Sequence, residues 1–71
     1  MLPLLKIPDG SGAIIAELAT RDHKVIRKMS SLGIVPGVSV TVLRKSPAVL
    51  LQCGHTKIAL DRSLASLIYV K

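Results

Sequence analysis

Apolar residues recur with two different periods along this chain, and the change of period divides it into strands and a helix. Alternating or continuous apolar runs of four to six residues, bounded by glycine, proline or polar residues, predict strands. These strands, in chain order, are 13–18, 38–43, 49–53, 56–60 and 67–70. Between the first two of them, apolar residues take the period of an α-helix.

This helix is predicted over residues 21–32 and is amphipathic. Its apolar face carries Val25, Ile26, Met29 and Leu32, and its polar face carries Lys24, Arg27, Lys28 and Ser31. The spacing of three and four residues places each set on one side of a helix. Thr20 or Asp22 supplies the N-cap, and Gly33 suits the position after the last turn because it tolerates positive φ.

Glycine, proline and aspartate mark the connections between the elements. Pro36-Gly37 predicts a type II turn, and Gly54-His55 predicts a two-residue hairpin turn of type II′. Asp61 is placed to cap a short helical turn that runs through Leu64. At the start of the chain, residues 3–7 predict one helical turn with proline near its beginning.

Together these elements predict a mostly β fold of five strands. The amphipathic helix lies between the first two strands, and the short helical turn precedes the last strand. So small a sheet leaves its edges and an apolar face in water unless it closes on itself, so we predict a small barrel. At 71 residues the chain has the size of a single domain, residues 1–71.

Composition narrows the functions that such a barrel can have. The chain has ten Lys and Arg against four Asp and Glu, which gives a net charge of +6, and it has no Phe or Trp. Domains that stack bases or bind proline-rich peptides depend on aromatic surfaces. The single aromatic residue, Tyr69, does not provide an aromatic surface for either function.

Patterns typical of catalysis and nucleotide binding are absent. The four acidic residues fall in a turn, a strand and two capping positions, so no pair is spaced for acid–base chemistry. Neither the G-x-S-x-G nucleophile motif nor the G-x-x-x-x-G-K-[ST] phosphate-binding loop is present. The sequence therefore predicts a non-enzymatic protein without a cofactor.

The cellular location is predicted from charge and cysteine content. The longest uncharged run, 29–43, is too short to cross a bilayer. Lys6 and Asp9 interrupt the N-terminal region that a signal peptide keeps apolar. The single cysteine, Cys53, cannot form an internal disulfide, as is usual in a reducing compartment. We expect a cytoplasmic protein.

Cys53 and His55 are weak candidates for metal ligands. A thiolate and an imidazole both bind Fe²⁺ or Zn²⁺. Two ligands that flank one glycine do not complete a tetrahedral site, and a strand cysteine usually packs as a small apolar residue. We therefore predict no metal site in this chain.

Three segments, taken in order, are similar to a known family. Residues 10–15 fit its opening, residues 32–40 read LGIVPGVSV after the helix, and residues 58–68 read IALDRSLASLI near the end. With these motifs at this spacing over about 4–70, the chain resembles the FeoA family of ferrous iron transport accessory proteins.

The resemblance implies an SH3-like barrel and no catalysis. It also implies a partner, a FeoB-type membrane transporter that carries a cytoplasmic GTP-binding domain. The same fold occurs as the C-terminal domain of iron- or manganese-dependent repressors. The chain departs from many family members at residues 45–48, where the link between the second and third barrel strands is shorter. Contacts made by that hairpin tip in other members do not carry over to this chain.

If the chain acts as such an accessory protein, the predicted partner-binding residues are Lys24, Arg27, Lys28 and Met29. The cations form a docking face for an acidic patch on the transporter, and Arg21, Arg44 and Lys45 extend this basic set. Met29 is expected to line an apolar cleft beside the helix with Val25 and Leu32. Anionic lipid at the membrane would add about 1 kcal/mol of attraction per nearby Lys or Arg.

Other interpretations of the basic character stay open at this point. The charged helix face also fits a solvated surface that keeps the protein soluble. The net charge and small barrel also fit a small basic nucleic-acid-binding or metalloregulator-like domain. The helix lacks the Asn, Gln and Arg set that reads base edges, so we expect only weak, salt-dependent association with nucleic acid. The sequence leaves self-association open.

Overall fold

Six antiparallel strands and two helices form the fold, and the computed structural model describes all 71 residues. The strands are β1 (Leu2–Pro3), β2 (Gly12–Leu18), β3 (Ser39–Arg44), β4 (Val49–Cys53), β5 (Thr56–Leu60) and β6 (Ile68–Val70). The helices are α1 (His23–Ser31) and α2 (Arg62–Ala65), and a 3₁₀ turn covers Leu4–Lys6. The predicted mostly β class, with its helix and its helical turn before the last strand, is confirmed.

β1 is a sixth strand that the sequence does not predict. It pairs with β6, so that Leu2 lies opposite Val70 and Pro3 lies opposite Tyr69. Two residues are too few to show a period of two, and the pattern indicates only a helical turn in this region. That turn is present as the 3₁₀ turn, and it brings Leu4 into the core.

β2 is shared between two parts of the sheet, and this makes the sheet curl. Residues 12–14 pair with β3, whereas residues 15–18 pair with β6. A register shift between Ile15 and Glu17 marks a bulge in the β2–β6 ladder. The strand order is β1-β6-β2-β3-β4-β5, so no hydrogen-bonded ladder joins β1 to β5. The sheet curls into the predicted small barrel, which stays open between its end strands β1 and β5.

One core of fourteen apolar side chains lies inside the curled sheet, and no polar side chain is buried with it. β3 and β4 show how the pattern builds this core, because every second residue points inward. These inward residues are Val40, Val42, Val49 and Leu51. α1 contributes Met29, and α2 contributes Ala65.

Local hydrogen bonds fix α1 at both ends. Of the two predicted N-caps it is Asp22 that acts, with its carboxylate accepting from the Lys24 N–H at 2.9 Å. At the other end Gly33 has a φ of +85°, and the Ile34 N–H donates to the Met29 carbonyl at 2.9 Å. The helix is shorter than the predicted 21–32 because these two caps enclose it.

The predicted turns before β3 and between β4 and β5 are confirmed. The Val38 N–H donates to the Val35 carbonyl at 3.2 Å and closes the turn at Pro36-Gly37. Gly54 has a φ of +62°, whereas His55 after it does not have positive φ, and this is the type II′ geometry. The β4–β5 hairpin is therefore as tight as the sequence predicts.

Candidate protein-docking surface

The exposed side of α1 carries three cations, which we call the cationic helix face. It consists of Lys24, Arg27 and Lys28, and all three are exposed. Arg21, just before the N-cap, is exposed as well. Because Met29 anchors the opposite side of the helix in the core, these cations are held on one side of a fixed element.

None of these cations has an acidic partner within the molecule. The one ion pair of the structure joins Lys45 to Asp9, with 3.8 Å between Nζ and Oδ1. Asp22 uses its carboxylate to cap α1, and Asp61 caps α2. The positive charge of the helix is therefore left to interact with solvent, ions or another molecule.

The charge of the protein is concentrated on this helix. Residues 21–28 hold four cations and one carboxylate, so this segment supplies +3 of the net +6. Charge gathered on one side of a molecule creates a local potential that attracts anionic surfaces and steers their approach. Salt weakens such an attraction, because the Debye length is about 8 Å at physiological ionic strength.

The structure corrects the prediction for Met29. Its side chain has 0% exposure and belongs to the core, so it cannot contact a partner on the folded protein. Val25 and Leu32, its predicted companions, pack against the same core and are only partly buried. No pocket is found at the molecular surface, so the structure gives no support to the expected apolar cleft beside the helix. The exposed residues of α1, which form the candidate surface, are therefore all polar.

Lys45 also differs from its predicted role as part of the basic surface. Its ammonium group donates to the carbonyls of Leu5 at 3.3 Å and Ile7 at 2.7 Å. Its own carbonyl accepts from Arg62 Nη1 at 2.7 Å. Lys45 thus fastens the N-terminal segment to the β3–β4 connection. The sequence gives no signal for this role, because the accepting residues lie 38 and 40 positions away.

Replacing Lys45 by methionine is expected to lower the free energy of unfolding by about 1.5–3 kcal/mol, the range for hydrogen bonds that involve a charged group. Methionine keeps the apolar stem and removes the donor. Urea denaturation measures the loss, and amide hydrogen exchange is expected to speed up in residues 2–7. Lys71→Met, at an exposed lysine whose side chain makes no hydrogen bond, is the control and should change neither quantity.

The weak metal candidates lie at the β4–β5 hairpin. Cys53 ends β4 and is partly buried, and His55 is exposed in the turn. No group of three or more His, Cys, Asp or Glu side chains is arranged to hold a metal ion. The structure thus adds no further ligand to this pair. In addition, neither helix has the length and apolar character needed to cross a membrane.

Comparison with known proteins gives matches over nearly the whole chain. The family model for the FeoA domain matches residues 2–71. A relative from Leptolyngbya boryana, named as an Fe(2+) transport protein A, is 37% identical over 70 residues. That match covers 99% of this chain and 84% of the relative.

Solved structures support the same fold. The FeoA of Stenotrophomonas maltophilia, solved in complex with zinc and described as a prokaryotic SH3 domain protein, has a TM-score of 0.83 and 26% identity. The match covers 100% of this chain and 91% of that protein, and it confirms the SH3-like fold. A manganese-dependent transcriptional repressor gives a TM-score of 0.85 at 21% identity, covering 96% of this chain and 39% of the repressor. The likeness to the repressor concerns the fold alone.

Proposed function

The chain belongs to the FeoA family of ferrous iron transport proteins, which are non-enzymatic accessory proteins, and from this premise we propose that it docks on the cytoplasmic part of a FeoB-type membrane transporter. The observation that carries the docking proposal is the cationic helix face of Lys24, Arg27 and Lys28, which has no acidic partner in its own molecule. The complementary surface on the transporter is therefore acidic.

Docking through this face needs no rearrangement of the protein. α1 is capped at both ends and anchored by Met29, so its cations are already held on one side before a partner arrives. A preorganised surface loses little conformational freedom on binding. Bound in this way, the protein changes the activity of the transporter only if it binds one of the transporter's states more tightly than another. Without such a difference it acts as a scaffold.

The proposed place of action is the cytoplasmic face of the membrane. A basic surface there gains a further weak attraction from anionic lipid, about 1 kcal/mol for each nearby Lys or Arg. Three cations within nine helical residues make α1 the element best suited to this contact. Lipid is expected to assist the transporter contact and not to replace it, because no apolar side chain is exposed on this side of α1.

A binding isotherm tests the proposal. The purified protein is titrated against a detergent-solubilised FeoB-type transporter at low and high salt, with bulk RNA as competitor. We expect saturable binding that weakens with salt and survives excess RNA, because RNA offers phosphate charge but no matched surface.

Three results would contradict the proposal in different ways. If the transporter is not bound at either salt concentration, the docking function is wrong. If the signal passes to RNA and disappears with salt, the basic surface serves weak nucleic-acid association instead. Tight RNA binding that persists at high salt would favour the alternative of a nucleic-acid-binding barrel.

A further inference from the structure

We propose that the free edge of β5 is a second binding surface, which accepts an extended acidic segment of another protein as an added strand. β5 lies at one end of the sheet and pairs only with β4. At the other end of the sheet, β6 is covered by β1. The fold thus protects one end with its own N-terminal residues and leaves the other end open.

The register of the hairpin determines which backbone groups face outward. Cys53 lies opposite Thr56 and closes the two-residue turn, as a hydrogen-bonded pair does in this type of hairpin. Bonded and non-bonded pairs then alternate along an antiparallel ladder. Lys57 and Ala59 are the non-bonded positions, so their N–H and C=O groups point away from β4. No other backbone segment bonds to them.

The edge is already shaped to receive a strand. Ile58 and Leu60 have 5% and 3% exposure, so the inner face of β5 is fixed in the core. The β4–β5 register runs without a shift over five pairs, whereas the β2–β6 and β3–β4 ladders each contain an irregularity. Bulges, prolines, covering segments and charged side chains, above all lysine, are the usual means of blocking an edge. β5 has no bulge, proline or covering segment, and its one blocking feature is the charge of Lys57.

Lys57 determines the charge of the strand that can pair with β5. It is the only charged residue of β5, it is exposed, and it lies opposite Gln52 on the outer face of the sheet. A lysine on an edge strand repels a second positively charged strand and admits one that places a carboxylate beside it. A second copy of this chain would bring another Lys57 and another net charge of +6 to the same edge. The occupant is therefore an acidic segment of a different protein.

This surface is separate from the cationic helix face and does not depend on the transporter proposal. The groups that define it are the outward backbone of Lys57 and Ala59 and the Lys57 side chain, all of them on β5. It can therefore be tested without the transporter, and either proposal can fail while the other stands.

The probe is a terminally blocked peptide, Thr-Val-Glu-Val-Thr, in which the glutamate takes the outer face beside Lys57 and the valines take the inner face. Titration of the ¹⁵N-labelled protein is followed by amide chemical shifts and hydrogen exchange. We expect shifts and slower exchange at Lys57 and Ala59, and weaker binding, by about five-fold, for the same peptide with lysine in place of glutamate.

Two variants complete the test. Lys57→Glu is expected to reverse the preference between the two peptides. Ala59→Pro removes an N–H that bonds to nothing within the protein, so it should abolish peptide binding while the β4–β5 amides stay protected. The proposal is overturned if millimolar peptide leaves the Lys57 and Ala59 amides unchanged. It is also overturned if Lys57→Glu keeps the preference of the original protein.

Discussion

Replacing Met29 by alanine is expected to lower the free energy of unfolding by about 2–5 kcal/mol. The side chain has 0% exposure and is the contribution of α1 to the fully buried core. Alanine leaves a cavity that neighbouring side chains fill only in part, and the lost contacts add to the lost transfer energy. The total free energy of unfolding of a small domain is only about 5–15 kcal/mol, so this one change removes a large share of the stability.

Urea denaturation, followed by circular dichroism, measures the effect of Met29→Ala. Ile14→Ala is the matched control, because Ile14 is 41% exposed on β2 and its truncation leaves no enclosed cavity. We expect a loss below about 1 kcal/mol for the control. In conditions where Met29→Ala is folded, its affinity for the transporter should equal that of the original protein. If Met29→Ala is folded under the assay conditions but does not bind, Met29 contacts the partner, contrary to its burial.

Met29 also shows what a periodic pattern can and cannot predict. Helical spacing separates the apolar face of α1 from its charged face, and the structure confirms both faces. The pattern does not tell whether an apolar face packs on the protein's own core or stays free for a partner. That depends on where the sheet lies relative to the helix, which is set by strand pairing distant in sequence.

Short sequence motifs predict local structure well, but they do not predict contacts between residues far apart in the sequence. The Asp22 cap, the glycine after α1 and the Gly54-His55 turn each depend on a few neighbouring residues, and all are confirmed. β1 has too few residues to carry a pattern, and Lys45 finds its acceptors 38 and 40 positions away. The open edge of β5 became visible only with the order of the strands, which no single strand encodes.

Reversing the charge of Lys24 and Lys28 together is expected to weaken binding to the transporter by about 5- to 150-fold at low salt. An exposed pair of opposite charges contributes about 0.2–1 kcal/mol, and reversal replaces this attraction with a repulsion of similar size. Two such changes on one helix give about 1–3 kcal/mol, and each 1.4 kcal/mol is a factor of ten in affinity. Both side chains are exposed, so the fold should stay intact.

The control for Lys24→Glu/Lys28→Glu is Lys6→Glu/Lys71→Glu, which alters the net charge equally at two exposed lysines away from α1. Titrations at low and physiological salt separate a local contact from the general attraction of a basic protein. If the helix face docks, the helix variant loses much more affinity than the control, and added salt narrows the difference because it screens exposed charges. Equal losses in the two variants would mean that net charge alone attracts the partner and that α1 is not the docking surface.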